Sequence, residues 1–271
     1  MIRIDGKAID LNKFPDGTFL LKDDFYNSSS IHDIEWKYEN NEELIALIFL
    51  TKHLRSRGGK ELHLIMPYIP NARQDRVKSY HDVFTLKYFA DIINSLEYTS
   101  VEVLDPHSPV SEALINNLTI LTPKHIINYV KNRIEINGNE FNPKPPIMAF
   151  YPDEGAMKRY SGLIDLPYAF GIKQRDWSTG QIKGLEVSGM TELIPDSTIL
   201  IIDDICSRGG TFYHSAKKLK EFGAKRMYLY ISHCENTILE GELLTSGLIE
   251  KVYTTNSIFT KEHEKIEVIK I

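Results

Sequence analysis

The sequence predicts an α/β protein of two domains, each a mainly parallel sheet flanked by helices. A strand–helix rhythm runs through the first half and restarts after residue 146, and a Gly/Asn/Pro-rich stretch, NGNEFNPKPP at 137–146, lies between. Alternating strands and helices need crossover connections, and these build parallel sheets covered by helices. A length of 271 residues suits two domains. The expected division is 1–141 and 142–271.

In the first half, Glu43 to Arg55 reads as a helix, since Leu44, Leu47, Ile48 and Leu54 share one face. ELHLIM (61–66) reads as a short strand stopped by Pro67 and Pro70. Thr85 to Leu96 is helical, and SVEVL (100–104) is the next strand. Pro123 to Ile134 fits a helix with proline in its first turn. After the linker, IMAFY (147–151) is a strand and Gly155 to Leu163 a helix. TILII (198–202) is apolar on both faces, as a central parallel strand requires. Gly210 to Phe222 is a helix ended by Gly223, a suitable left-handed cap. RMYLYIS (226–232) is a strand, and the terminal EKIEVIKI also reads as one.

Composition narrows the function. Hydrophobic residues are 42% and charged residues 25%, so a disordered or fibrous chain is excluded. The net charge of -5 argues against generic nucleic-acid binding, which needs clustered positive charge. Two cysteines, Cys206 and Cys234, can build neither a disulfide framework nor a four-thiolate zinc site. The longest apolar run, LIALIFL (44–50), falls far short of a bilayer span, and the N-terminus has no signal-peptide core. A cytoplasmic protein without membrane or nucleic-acid partners is expected.

The chemistry concentrates in TILIIDDICSRGGTFYHSAKKL. A buried strand ends in Asp203 and Asp204, a turn of Ser207, Arg208, Gly209, Gly210 and Thr211 follows, and a helix begins. Amides of a glycine-rich turn at a helix N-terminus can cradle a phosphate. Adjacent acids at a strand end can grip the vicinal hydroxyls of a ribose. The alternative reading is a helix cap with solvated acids. Phe212 and Tyr213 read as core packing.

This segment resembles the phosphoribosyl-diphosphate (PRPP) binding motif of the phosphoribosyltransferase fold. Other segments narrow the likeness to the ribose-phosphate diphosphokinases, the PRPP synthetases. MPYIPNARQDRV (66–77) resembles their Pro-Tyr-x-x-Tyr-Ala-Arg-Gln-Asp-Arg segment. NKFPDG (12–17), LDPH (104–107), YPDEGAMKR (151–159) and GIKQRD (171–176) are similar, in family order, to their other functional segments. The resemblance implies two phosphoribosyltransferase-like, Rossmann-like domains. It also implies attack of the anomeric hydroxyl of a 5-phosphorylated ribose on the β-phosphorus of Mg-ATP, with AMP leaving. By position, Lys173 and Arg175 match catalytic-loop cations that stabilise the moving diphosphate. Arg73, Gln74 and His107 match ATP contacts, with Asp75 and Arg76 supporting that loop. Phe14 and Asp16 match the adenine site, which the family supplies from a neighbouring subunit, so at least a dimer is implied. His107 and Asp153 match the Mg²⁺ positions, the histidine suited to a contact through a water, and Glu154 reads as solvated.

The chain departs from the family at Ser207-Arg208, where Asp-Thr is usual; at Thr18, where an acid is usual; and in a short N-terminus and a missing terminal helix. The last two put inherited ADP inhibition and a hexamer in doubt. An Arg208 that reaches a second phosphate would suit ADP-ribose, whose 1-diphosphate could serve NAD salvage. An Arg208 facing water would leave ribose 5-phosphate as the acceptor. Two other functions compete: a PRPP-consuming phosphoribosyltransferase, which leaves ARQDR unexplained, and a non-catalytic regulatory relative, which predicts eroded catalytic positions.

Overall fold

The computed structural model describes residues 1–22, 29–137, 145–175 and 182–271, with backbone alone at 137, 173–175, 182, 183 and 185. The chain forms two compact units, Met1–Thr122 and Pro123–Ile271. The helix expected before the linker therefore packs with the second unit, and the linker stretch lies mostly outside the described residues.

In the first unit a six-stranded sheet has the order β2-β1-β5-β6-β7-β8. Its strands are β1 (Ile2–Ile4), β2 (Lys7–Ala8), β5 (Ile31–Trp36), β6 (Glu61–Ile65), β7 (Ser100–Leu104) and β8 (Leu118–Leu121). A separate ribbon pairs β3 (Asn12–Lys13) with β4 (Phe19–Leu20). From β5 to β8 all pairings are parallel, and antiparallel β1 and β2 close one edge. The helices are α1 (Glu42–Ser56), α2 (Thr85–Asn94) and the short α3 (Val110–Leu114). Leu47, Leu50 and Leu54 of α1 and Phe89 and Ile93 of α2 bury against Ile34, Trp36, Leu62 and Leu64 of the sheet. Glu43 is buried beneath them because it accepts the Trp36 indole N–H at 3.0 Å and the Glu39 amide at 2.9 Å.

The second unit holds a seven-stranded sheet of order β11-β10-β9-β12-β13-β14-β15. Its strands are β9 (Ile147–Tyr151), β10 (Tyr168–Arg175), β11 (Ile182–Gly189), β12 (Thr198–Cys206), β13 (Arg226–Cys234), β14 (Lys251–Thr255) and β15 (Ile266–Ile269). All pairings are parallel except β10–β11. The helices are α4 (Lys124–Asn137), α5 (Glu154–Tyr160) and α6 (Gly210–Glu221). Central β12 buries Thr198 through Ile202 without interruption, as a strand covered on both faces must. Phe212, Ala216 and Leu219 of α6 pack on Ile199, Ile201, Met227 and Leu229, so Phe212 is core, with Tyr213 packed at its margin. Gly223 ends α6 at φ 90, the left-handed geometry that glycine adopts without a Cβ clash. No helix among the described residues is long and apolar enough to cross a membrane.

Candidate functional site

Parallel strands place the loops after their C-terminal ends along one edge of each sheet, where ligands of such folds collect. Most expected site residues fall at these edges, and Phe14 and Asp16 lie instead on the separate β3–β4 ribbon.

In the first unit, Phe14 stands at the turn between β3 and β4, where Phe14 N–H donates to the Thr18 carbonyl at 2.8 Å and Gly17 sits at φ 85. Phe14 is 48% exposed, so it is a displayed ring rather than a core residue. The Thr18 amide and hydroxyl donate to Asp16 Oδ1 at 3.0 and 2.7 Å, and these bonds lower the Asp16 pKa. Thr18 thus orients Asp16.

Following β6, Arg73 and Gln74 are exposed, and Gln74 is held by Thr85 Oγ1 at the start of α2, at 2.9 Å. Arg76 grips Asp75 with two bonds of 2.7 and 2.8 Å. Buried Ser108, in the loop after β7, donates to Asp75 Oδ2 at 2.7 Å. Arg76 first, and then Ser108, draw the Asp75 pKa down to about 2 against the effect of burial. The loops after β6 and β7 are therefore tied together, and His107 lies beside the knot. Ser108 was missed from the sequence; its only signal was its place directly after LDPH. Asp105 turns this loop at φ 41.

In the second unit the adjacent strands β9 and β12 deliver two acidic segments to one edge. Asp153 caps α5, accepting the Ala156 amide at 3.0 Å. Glu154 is exposed and lies 3.7 Å from Lys158. The aspartate pair differs from expectation. β12 runs on to Cys206, so the acids lie within the strand and do not end it. Asp204 is buried and accepts Arg159 Nη1 from α5 at 2.7 Å. Asp203 is half-buried; burial first, and then the Asp204 charge, push its pKa well above the carboxylate range. Arg159 ends the YPDEGAMKR segment, and nothing local in the sequence marks its partner.

The turn after β12 follows the expected form. Gly209 adopts φ 79 at the N-cap of α6, with no side-chain cap. That leaves the helix's first amides to an anion. A Cβ on Gly209 would lie 3.0 Å from Leu243, and one on Gly241 would overlap the Arg208 carbonyl oxygen. The loop after β13 thus sets the shape of the turn. Arg208 and Glu240 pair at 3.1 Å, both exposed. Lys173 and Arg175 lie in β10, paired antiparallel to β11 with a register shift at Gln174/Arg175. The segment expected as a loop is thus a strand as far as Arg175. Their side chains, and residue 176 of that segment, lie outside what the structure describes.

A hard, oxygen-seeking cation suits the Asp153 carboxylate; the His107 nitrogen would suit Mg²⁺ only through a water. No cluster of three metal-ligating side chains occurs among the described residues. Magnesium bound largely by phosphates and waters needs none.

No family model matches the chain. It is 28% identical to the ribose-phosphate pyrophosphokinase of Saccharolobus solfataricus, over 99% of this chain and 89% of that protein. Its identity to the enzyme of the same name from Bacillus subtilis is 29%, over 85% of this chain and 70% of that one. The fold matches a phosphoribosylpyrophosphate synthetase from Mycobacterium smegmatis with a TM-score of 0.76 at 18% identity, covering 97% of this chain and 86% of that one. Along nearly its whole length the chain is similar in sequence to ribose-phosphate pyrophosphokinases, and its fold is that of a phosphoribosylpyrophosphate synthetase.

Proposed function

We propose that the chain transfers the β,γ-diphosphate of Mg-ATP to the anomeric hydroxyl of ribose 5-phosphate, releasing AMP. The observation that carries this is the β12–turn–α6 segment: Asp203 at a sheet edge, then a left-handed Gly209 opening a helix whose first amides have no side-chain cap. The amides of 207–211 would receive the 5-phosphate and Asp203 the ribose hydroxyls. Asp204 supports Asp203 from behind. Arg73, Gln74 and His107 would hold ATP, while Asp75 and Arg76 set their loop, and Phe14 and Asp16 would take the adenine of a neighbouring subunit in a homo-oligomer. Lys173 and Arg175 would shield the transferring diphosphate, a role that needs positioned charge and no covalent chemistry. Asp153 in the second unit, and His107 through a water in the first, are the positions suited to Mg²⁺, which would neutralise phosphate charge when bound.

ADP-ribose is the second acceptor to test, and it rests on Arg208 alone. Arg208 already pairs with Glu240, which favours ribose 5-phosphate. The protein is incubated with ATP and Mg²⁺, and AMP release is measured with each acceptor separately. AMP from ribose 5-phosphate is expected. AMP from ADP-ribose alone would reassign the acceptor, and none from either would refute the transfer.

A further inference from the structure

Two features of the second unit have no part in the proposed transfer: Arg159, and the buried free thiols Cys206 and Cys234, which face each other on β12 and β13. Arg159 stands on the most observations. It sits in the last turn of α5, whose first turn is capped by Asp153. Its side chain is 29% exposed, and the guanidinium reaches across to β12, where Nη1 donates to Asp204 Oδ2 at 2.7 Å. Asp204 is buried, and its other oxygen accepts the Ile205 amide at 2.9 Å. The Asp204 amide in turn donates to Asp203 Oδ1 at 3.0 Å. One chain of bonds therefore runs from α5 through Asp204 to the carboxylate proposed to meet the ribose. The Arg159 guanidinium also stacks near the Tyr160 ring, 5.7 Å from its centroid, which fixes its approach.

We infer that Arg159 is a positioning residue for the acceptor: it fixes the Asp204 carboxylate and so holds the Asp203 backbone and side chain in ribose-binding geometry. The reason is electrostatic. Asp203, Asp204 and Asp153 crowd three carboxyl groups at one sheet edge, and a buried carboxylate without a partner is costly. Losing Arg159 would leave Asp204 to seek water or another donor, and the strand end would shift with it. Arginine suits this place because its planar guanidinium donates along a fixed plane while also lying over an aromatic ring. The same link couples α5 to β12, so the metal-site and ribose-site acids keep a constant relation.

This inference rests on the proposed transfer, and the experiment separates the two. KM and kcat for ribose 5-phosphate are measured for the wild-type chain, Arg159→Met, Arg159→Lys and the double variant Arg159→Met/Asp204→Asn, with thermal unfolding as a fold check. Arg159→Met is expected to raise KM for ribose 5-phosphate about tenfold or more, with a smaller change in kcat and in KM for ATP. Arg159→Lys should recover part of the loss, because it restores the charge without the planar donors. The double variant should bind the acceptor better than Arg159→Met alone, since the stranded charge is gone. A purely structural role would move both Michaelis constants together and give no rescue, and that result would overturn the inference. A wild-type KM in a folded Arg159→Met would overturn it as well. An inactive wild-type chain would instead refute the proposed transfer, and this inference with it.

Discussion

Gly241 offers a sharp perturbation of the phosphate turn. Its φ is -93, a value open to any residue, so Gly241→Ala adds no backbone strain. The obstacle is space. The new Cβ would overlap the Arg208 carbonyl oxygen and lie 2.9 Å from its carbon. Neither group is the tip of a flexible side chain, so backbone must move by about 1 Å, at a cost of about 1–3 kcal/mol typical of overpacking. The carbonyl belongs to the residue before Gly209, so the shift enters the turn proposed to hold the 5-phosphate. A misplacement of that size lowers kcat/KM for ribose 5-phosphate by about 100-fold. The assay is AMP release against acceptor concentration, with thermal unfolding in parallel. Gly162→Ala is the control, because nothing lies within 4 Å of its added Cβ. Gly241→Ala with unchanged acceptor kinetics would refute the claim that the loop after β13 shapes the turn.

Three further outcomes are expected. Asp75 titrates at about 2 through Arg76 and Ser108, below its unfolded value, so its stabilisation is present above about pH 4 and lost as pH falls toward 2. After discounting for the exposed Arg76 this is about 1 kcal/mol, and acid unfolding of Asp75→Asn should lack that component. Asp153→Asn should keep the α5 cap but weaken Mg²⁺ activation, whereas Asp153→Ala should also lose about 1 kcal/mol of stability, read from magnesium titration and denaturant melts. Cys206 and Cys234 are register partners on β12 and β13, and the Cys234 contact, then burial, push the Cys206 thiol well up. A thiol reagent should therefore label the native protein about 100-fold or more slower than the unfolded chain, and rapid native labelling would contradict that burial.

The parts of the fold readable in advance are those where local pattern suffices. β7 and β9 occupy the spans read from their apolar runs, and Gly223 takes the left-handed cap that its place after α6 required. β5 escaped because its inward positions are His32, Ile34 and Trp36, and a histidine breaks the apolar alternation. His32 is tolerated inside because Asp5, bonded to it at 2.8 Å, comes from the neighbouring β1 turn. The β10–β11 hairpin escaped because the resemblance assigned its GIKQRD segment to a loop.

The sequence alone determined the alternation of strands and helices, the two-part organisation and the order of the phosphate-type motifs, since each is written in neighbouring residues. Tertiary structure decided which polar groups meet: Arg159 finds Asp204 across 45 residues, Ser108 finds Asp75 across 33, and Gly241 makes room for Arg208. Strand order sets such meetings. A charged side chain carries no local mark of its partner, because its choice is fixed only when the sheet brings two loops to one edge and removes the competing water.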